Sequence, residues 1–319
     1  MSRRFDFVAG QEDAGRRIDV IVSGRCDRSR SAGGKLVRDG FVLVNGASVK
    51  PSHMVSVGER ISVTTPQPTL ASAQPEDIPV HLVYEDADLC VVDKPAGMAT
   101  HPAPGSAHGT LVNALLAALG PLPSINGVLR AGIVHRLDKN TSGLLVVAKS
   151  DAAMRALSAA MAARAVRRRY DAVVWGVPAL AIASVDAPIG RDPRSRVKFA
   201  VRDKGRAALT HYRTVETFIA PQETRSSPKR TPSFARLEIT LETGRTHQIR
   251  VHCASIGHPI VGDDVYGSSR PSTGMHRQAL HASLLAFSHP ISGVAMSFSS
   301  PWAADFAGLV DRLRRGLLP

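Results

Sequence analysis

Hydrophobic and polar residues alternate most regularly over residues 234–242. Ala235, Leu237, Ile239 and Leu241 fall on one face, and charged or hydroxyl side chains fall on the other. A period of two is typical of a strand that is buried on one side. Short apolar runs predict further strands at residues 80–84, 89–92, 133–134, 144–148, 170–175 and 210–218.

Apolar residues at helical spacing are found in only a few segments. Residues 111–119 predict a helix that ends at Gly120-Pro121, and residues 246–256 predict one that ends at Gly257. Another helix is predicted after Ser150, which can serve as its N-cap. Strands outnumber helices and show no regular βαβ alternation, so we expect an α+β fold with a mixed, mostly antiparallel sheet.

The N-terminal part of the chain has the pattern of a separate small unit. Apolar residues predict one helix near Ile18, and a second is predicted from near Ser29 to Gly40. Gly33 and Gly34 each disfavour a helix by about 1 kcal/mol relative to Ala. We therefore expect the second helix to be short or frayed.

The rest of this unit reads as strands. One strand is predicted before Asn45-Gly46, a typical hairpin turn, and apolar residues alternating around Gly58 predict a further hairpin. Residues 65–77 are rich in Pro, Ala, Ser and Gln and form the predicted linker. We thus expect one domain over residues 1–64 and a larger one over residues 78–319.

The chain is strongly basic. Its 319 residues include 40 Lys and Arg against 27 Asp and Glu, a formal net charge of +13. Most of the excess lies in residues 151–319, which hold 24 basic and 13 acidic residues. Such an excess favours a polyanionic partner, most simply a nucleic acid, although a genome-wide preference for Arg is an alternative explanation. The charged segment 221–232, PQETRSSPKRTP, predicts an exposed hairpin tip.

Cysteine usage and hydropathy exclude several classes of protein. Cys26, Cys90 and Cys253 are far apart and show no ligand spacing, so neither a disulfide framework nor a structural zinc is expected. The N-terminus lacks the apolar core of a secretion signal. No apolar stretch approaches the roughly 18 residues that span a bilayer. We therefore expect a cytoplasmic protein with no membrane partner.

The segment IVHRLDKNTSGLLVVAK, residues 133–149, contains the first candidate for chemistry. Asp138 lies in a polar block between two apolar runs, which places a carboxylate on a loop held by buried strands. A turn Asp that caps backbone amides is the commoner role of such a residue. The flanking His135, Arg136 and Lys139 are potentially cationic, which favours an ionised carboxylate.

A second polar cluster, TGRTHQIR, occupies residues 243–250 between the alternating strand and the helix that follows it. A strand-to-helix turn offers free backbone amides and directed Arg side chains, which is a natural anion site. One of its arginines can pair with Asp138 while another holds a phosphate.

Tyr170 follows directly after Arg167-Arg168-Arg169. In a functional interpretation, the ring stacks on a nucleobase while the arginines hold the RNA backbone nearby. The structural alternatives are a half-buried strand aromatic for the Tyr and a solvated helix end for the Arg run.

Several familiar motifs are only superficially present. HRLDKN differs from a kinase catalytic loop in the position of its Asp, and no Gly-rich loop or DFG accompanies it. Gly33-Gly34-Lys35 lacks the spacing and the hydroxyl residue of a phosphate-binding loop. His247 and His252 are five residues apart and do not share a helix face as zinc ligands would. No second loop carboxylate supports a glycosidase pair.

Together, these motifs resemble the RluA family of pseudouridine synthases, from about residue 80 to the C-terminus. The matching segments are VDKPAG at 92–97, HRLDKNTSGLLVVAK at 135–149, RYDAVVWG at 169–176, LETGRTHQIRVH at 241–252, HPIVGDDVYG at 258–267 and RQALHA at 277–282. Residues 15–64 resemble an S4 RNA-binding domain. That domain and the segment HPAPGSAHGTLVNALL most resemble the large-subunit rRNA pseudouridine synthase D type.

The resemblance implies a pseudouridine synthase fold and the isomerisation of uridine to pseudouridine in 23S ribosomal RNA, through a flipped-out base. Asp138 would be the catalytic aspartate, and Tyr170 would pack on the target base. Arg245 would pair with Asp138, and Arg136 would enter the space that the uridine leaves. Further RNA contacts are expected from His135, Lys139, Arg167, Arg168, Arg169, Arg250, Arg30 and Lys35.

The isomerisation neither adds nor removes atoms, so the resemblance implies no cofactor and no metal. It leaves open whether Asp138 attacks the sugar C1′ or assists an elimination. Two alternatives remain: a non-catalytic RNA-binding factor for ribosome assembly, and a tRNA-directed synthase of the same fold. No apolar face is left over once the predicted elements are assigned, which predicts a monomer.

Overall fold

The computed structural model describes residues 3–26, 30–65, 73–103, 105–123, 130–195, 198–219, 233–267, 269–271 and 273–317. The chain divides into two compact units between Ser72 and Ala73. The predicted hairpin tip at 221–232 lies outside the described residues. Within the described part, no helix has the length and apolar character needed to cross a membrane.

The first unit combines a four-stranded antiparallel sheet with two helices. Its elements are β1 (Arg3–Val8), α1 (Ile18–Arg25), α2 (Arg30–Arg38), β2 (Val42–Val44), β3 (Ala47–Ser48) and β4 (Arg60–Thr65). The strand order is β1-β4-β2-β3. Ile18, Val22, Val42, Ile61 and Val63 are fully buried in one shared core.

The sequence anticipated part of this unit correctly. Both helices form, and Asn45 and Gly46 adopt positive φ angles of 50° and 83°, as a type I′ hairpin turn requires. The hairpin expected around Gly58 is wrong, because β4 pairs with β1 and β2 instead. Strand β1 has no counterpart in the sequence-based prediction.

Gly33 shows how α2 forms in spite of its two glycines. A Cβ atom at Gly33 would lie 2.6 Å from the carbonyl oxygen of Asp19 and 2.9 Å from Cβ of Ser23. The glycine therefore lets α2 pack directly on the backbone of α1. Most helical stability in proteins comes from such packing rather than from propensity, so the two glycines do not unravel the nine-residue helix.

The second unit is built on a nine-stranded mixed sheet. Its elements are β5 (His81–Glu85), β6 (Leu89–Lys94), α3 (Leu111–Leu119), β7 (Ser142–Ala148), α4 (Asp151–Ala162), β8 (Arg167–Trp175), β9 (Ile182–Asp186), β10 (Ile189–Arg191), β11 (Phe199–Val201), β12 (Leu209–Ile219), β13 (Ser233–Leu241), α5 (Gln248–Ser255), β14 (Leu280–Ser288), β15 (Ala295–Ser299) and α6 (Ala304–Arg314). As predicted, α3 ends before Gly120 and the Ser150 hydroxyl caps α4 by accepting a hydrogen bond from the Ala153 amide.

The order of the main sheet is β5-β6-β7-β14-β8-β13-β12-β9, with β15 beside β14. Among the described strands of this sheet, β7 and β14 form the single parallel pair. Strands β10 and β11 form a separate small ribbon. The expected α+β architecture with a mostly antiparallel sheet is confirmed.

The central strand β7 is covered on both faces, since all of its residues are buried. Leu145 and Val147 pack in a core shared with α3, α5 and α6, whereas Leu144 and Val146 pack with α4. Alternate side chains of a strand point to opposite faces. A strand with two covered faces therefore reads as a continuous apolar run, as this segment does in the sequence.

The structure of this unit departs from the sequence-based description in two places. No strand forms at residues 133–134, where Ile133 forms an isolated bridge with Val147. Residues 73–77, assigned to the linker by composition, hydrogen-bond to α3 through both the backbone and the side chain of Asn113. These polar contacts give no hydropathy signal, so composition alone could not show them.

Candidate active site

The loop before β7 presents Asp138 on an anchored backbone. Nζ of Lys94 donates to the Lys139 carbonyl at 3.2 Å, and the Thr100 hydroxyl donates to the Leu137 carbonyl at 2.8 Å. Both anchoring side chains are buried. The residues on either side of Asp138 are thus held in place, which fixes the position of the carboxylate.

Arg277 provides a third anchor for the same loop. Its Nη1 donates to the Asn140 carbonyl at 3.1 Å. Its Nε and Nη2 bind the two oxygens of Asp305 at 2.5 and 2.6 Å. The loop is therefore tied to the first turn of α6 through one guanidinium.

Lys94 is fully buried at the end of β6. Carbonyl oxygens of Pro95, Met98 and Lys139 accept its hydrogen bonds at 2.7, 2.8 and 3.2 Å. Burial lowers the pKa of Lys94 to about 7. In the sequence this lysine stands out only as part of the VDKPAG motif, because no local pattern shows that a lysine at a strand end points inward.

Asp138 is paired with Arg250 and not with Arg245. Nη1 of Arg250 lies 3.1 Å from Oδ2 of Asp138. The rest of the guanidinium is held by the two oxygens of Asp263 at 2.7 and 2.9 Å. Nε of Arg245 donates instead to the Ala207 carbonyl at 2.9 Å. The expected pair of Arg245 with Asp138 is therefore wrong.

The position of α5 explains this difference. The helix begins at Gln248, two residues later than predicted. Arg245 lies in the turn before the helix, and Arg250 lies in the first helical turn. His247, at the N-cap, has a left-handed φ of 58° and redirects the chain between them. The Arg250 side chain is 5% exposed and that of Asp263 is 0% exposed, which makes this a buried charge pair.

Strand β8 brings Tyr170 into the same site. It begins at Arg167 rather than at Tyr170, so the arginine run lies within the strand and is not a helix end. Because side chains alternate across a strand, Arg168 shares the face of Tyr170, and Arg169 lies on the other face, 3.9 Å from Glu238. Burial raises the pKa of Tyr170, so its hydroxyl stays protonated at neutral pH.

These elements enclose a cavity of about 470 Å³, within the usual range for small-ligand sites. Its described lining contains six arginines and two acidic residues, which are Arg130, Arg136, Arg164, Arg168, Arg245, Arg250, Asp138 and Glu242. Glu242 is paired with Arg164. The site therefore presents the Asp138 carboxylate inside a strongly basic pocket, which suits a polyanionic ligand.

Comparison with known families assigns both units. Residues 88–255, more than half of the chain, match the RNA pseudouridylate synthase family, and residues 16–61 match the S4 domain. The chain belongs to the RNA pseudouridylate synthase family. It is an RNA pseudouridine synthase, an isomerase, and its N-terminal unit contains an S4 domain.

Relatives of this synthase align over nearly its whole length. The ribosomal large subunit pseudouridine synthase D of Xanthomonas campestris is 43% identical over 96% of this chain and 92% of its own. The Pseudomonas aeruginosa protein of the same name is 42% identical over 95% of this chain and 94% of its own. Human RNA pseudouridylate synthase domain containing 1, a solved structure, has a TM-score of 0.53 over 76% of this chain and 98% of that chain. At 24% identity, this last match supports the fold alone.

The other predicted RNA contacts of the synthase lie in different places. Arg136 is exposed and lines the cavity, next to Asp138 in sequence. Lys139 is exposed but is not among the lining residues. Arg30 and Lys35 both lie on α2 of the first unit. Arg167 is exposed at the start of β8.

His135 is not placed as a cationic RNA contact of the synthase. Its side chain is buried, and its Nε2 accepts a hydrogen bond from the Val146 amide at 3.1 Å. Burial lowers the pKa of His135 to about 3, so the ring is neutral at physiological pH. The expected cationic character of His135 is therefore wrong, whereas its RNA contact stays a prediction, since His135 is among the residues that line the cavity.

His247 is a cavity residue that the sequence reasoning missed. Its ring lines the cavity, and its Nδ1 lies 2.9 Å from the hydroxyl of Tyr266. The ring centroid of Tyr266 is in turn 5.2 Å from the guanidinium carbon of Arg250. The five-residue spacing of His247 and His252 serves only as a test for zinc ligands. Among the described residues, no cluster of three metal-ligating side chains exists. Its place inside the TGRTHQIR motif was the one available signal.

Proposed function

We propose that this synthase converts uridine to pseudouridine in 23S ribosomal RNA, with Asp138 as the catalytic carboxylate. The relatives named ribosomal large subunit pseudouridine synthase D, which align over more than nine-tenths of both chains, support the choice of RNA. The S4 domain and the formal net charge of +13 support an RNA partner of this kind. The single observation that carries the catalytic role is the Asp138–Arg250 pair inside the basic cavity.

The chemistry requires an acid residue on the sugar side of a uridine. The N1–C1′ bond breaks, the uracil turns, a C5–C1′ bond forms, C5 loses its proton and N1 gains one. No atoms are gained or lost overall. Asp138 can act as a nucleophile at C1′ or can assist an elimination, and Arg250 stabilises its charge in either case, since the guanidinium lies 3.1 Å away.

The target base must first leave its stack, because the reacting atoms are otherwise inaccessible. Flipping a base disfavours the complex by about a few kcal/mol, and phosphate contacts to a basic surface offset this. In our proposal Tyr170 packs on the flipped uracil and Arg136 occupies the vacated space. Arg136 is suited to this because it is exposed at the cavity next to the catalytic loop.

Replacing Asp138 by Asn tests the catalytic assignment. Tritium release from 23S rRNA labelled at uridine C5 should fall by at least about 100-fold, the usual loss for an acid–base group or nucleophile. Asp77→Asn, at an exposed carboxylate, is the matched control and should retain activity. Retained activity in a folded Asp138→Asn protein would remove Asp138 from the mechanism.

The choice of RNA is tested in a strain that lacks the gene. Nuclease digestion and mass spectrometry should show pseudouridines missing from 23S rRNA and restored by the wild-type gene but not by Asp138→Asn. If pseudouridines are missing from tRNA instead, the substrate of the synthase is tRNA and not 23S rRNA. Unchanged pseudouridine in both RNAs, with binding to ribosome precursors, would favour an assembly factor. We further propose that the protein acts in the cytoplasm as a monomer. Sedimentation of the purified protein checks the oligomeric state.

A further inference from the structure

Arg168 is a buried charge of the cavity for which the described residues supply no counter-ion. Its residue is 7% exposed, and its guanidinium makes no hydrogen bond or ion pair with any other residue that the structure describes. Its Nε is fully enclosed and lacks a partner there. Arg250 and Arg277 are buried to a similar degree, yet each is held by both oxygens of a carboxylate.

A largely buried guanidinium without an acceptor is unfavourable, because the charge has lost most of its hydration and the enclosed Nε has gained no hydrogen bond in exchange. Arginine offers only donors and stays protonated, so proton loss cannot relieve the penalty. The missing partner must therefore be a hydrogen-bond acceptor, and an acceptor that carries negative charge would also neutralise the guanidinium. Because Arg168 lines the cavity, that acceptor can come from the ligand of this site.

The surroundings of Arg168 indicate where such a ligand group would lie. It is two residues from Tyr170 on the same face of β8, about 7 Å along the strand. Its Nη1 reaches the turn before α5, since a Cβ atom at Gly244 would lie 3.2 Å away. The guanidinium thus lies between the ring that we propose packs on the base and the strand-to-helix turn.

We propose that Arg168 binds a phosphate group of the target nucleotide. The planar guanidinium matches two oxygens of a phosphate, and such bidentate pairs are among the stronger hydrogen bonds in proteins. This inference rests on the proposed function, in which a uridine of RNA enters the cavity. It separates Arg168 from Arg167 and Arg169, which do not line the cavity.

The first test asks whether Arg168 is kept for binding or for stability. Arg168→Met should lower kcat/KM for tritium release by about 10- to 100-fold, as expected for a lost hydrogen bond to a charged group. Its thermal midpoint should equal or exceed that of the wild type, because an unpaired buried charge has been removed. Arg155→Met, at an exposed arginine of α4, should leave activity unchanged.

A second variant perturbs the site without removing the charge. Gly244→Ala places a methyl group against Nη1 of Arg168 and should raise KM while the guanidinium stays present. A fall in the thermal midpoint of Arg168→Met with activity unchanged would mean that Arg168 is structural and would overturn the proposal.

The decisive experiment couples Arg168 to one phosphate. An RNA fragment that the wild type converts is made with a neutral methylphosphonate on the 5′ side or on the 3′ side of the target uridine. Binding is measured by fluorescence anisotropy with the inactive Asp138→Asn protein and with Asp138→Asn/Arg168→Met. At one of the two positions, the methylphosphonate should weaken binding to Asp138→Asn by about 10-fold or more. The same methylphosphonate should leave binding to Asp138→Asn/Arg168→Met unchanged.

The outcomes separate this inference from the proposed function. If the wild type converts no uridine in 23S rRNA, the proposed substrate is wrong, and the coupling is then measured on the RNA that is converted. If the substrate is converted but neither methylphosphonate shows coupling to Arg168, the phosphate site alone is wrong. Coupling that appears equally with Arg169→Met would show a general charge effect and would likewise overturn the proposal.

Discussion

At the residue scale, the partner of Asp138 is the arginine of the TGRTHQIR motif that lies on α5. Arg245 and Arg250 both lie in the TGRTHQIR motif, and either can reach a nearby carboxylate as far as the sequence shows. The start of α5 at Gln248 puts Arg250 in a buried bridge between Asp138 and Asp263. The replacement of Arg245 by Arg250 as the partner of Asp138 matters for the mechanism, because the residue that stabilises the catalytic charge is also buried in the core.

This arrangement predicts different effects of removing the two arginines. Arg250→Gln should abolish activity and lower the free energy of unfolding by about 3–5 kcal/mol, because it leaves Asp263 buried and unpaired. Arg245→Gln should raise KM with a small change in stability, because only a hydrogen bond to a carbonyl is lost. Urea unfolding and tritium release measure both quantities. Equal destabilisation by the two substitutions would contradict the assignment.

His135 makes the stability of the synthase sensitive to acid. Its pKa is lowered from 6.5 to about 3 by burial, so between these values the unfolded chain binds a proton that the folded ring does not. Stability is therefore full above pH 6.5 and declines as the pH falls, by up to about 1.4 kcal/mol per pH unit from this residue.

Replacing His135 should flatten that decline. Urea unfolding at several pH values between 4 and 7 should show a pH slope for His135→Gln that is smaller by roughly 1 kcal/mol per unit. His108→Gln, at a histidine whose side chain is 77% exposed, is the control and should keep the wild-type slope. An unchanged slope in His135→Gln would mean that the ring is protonated in the folded protein.

At the element scale, strand β8 contains the three successive arginines for which a solvated helix end was the structural alternative. Three successive arginines suggest an exposed segment, yet β8 pairs on both sides and alternates them between faces. Only Arg168 of the three lines the cavity as a result. The hydropathy pattern could not reveal this, because it counts charged side chains as exposed wherever they point.

The packing of α1 on α2 predicts opposite effects for two neighbouring glycines. Gly33→Ala should destabilise the first unit by about 1–3 kcal/mol, since its Cβ would lie 2.6 Å from a backbone oxygen. Gly34→Ala should stabilise it by up to about 1 kcal/mol, since the nearest atom would be 3.7 Å away and Ala favours a helix. Hydrogen exchange of the amides in α1 and α2 measures both. Equal signs would contradict the described packing.

At the scale of the whole molecule, basic residues are found in both units. We propose that α2 of the S4 unit contributes affinity for RNA and that the cavity contributes the chemistry. Arg30 and Lys35 lie on this helix, and the Arg30 side chain is 60% exposed. Contacts of exposed cations to phosphate act mainly through counter-ion release, so they depend strongly on salt.

Removing both cations should therefore change binding and not the chemical step. Arg30→Gln/Lys35→Gln should raise KM, leave kcat within about two-fold, and reduce the slope of log K against log salt by about 1.4 to 1.8, the value for two lost phosphate contacts. Arg315→Gln, at an exposed arginine that follows α6, should leave the slope unchanged. A fall in kcat without a change in slope would assign α2 a structural role instead.

The sequence by itself determined the fold class, most helices and strands, the family and the identity of the candidate loop. These follow from the period of apolar residues and from motifs whose residues are neighbours along the chain, as in the fully buried segment that becomes β7. Local signals of this kind persist whatever the rest of the chain does.

Only the tertiary structure decided which side chains meet. Arg250 pairs with Asp138 across more than a hundred residues, Lys94 anchors the loop from another strand, and Arg168 is left in the cavity without a described partner. Each outcome depends on strand pairing and helix position, which bring distant residues together and remove them from water. The energy of a charge is set by that burial and by its neighbours, and neither is a property of the local sequence.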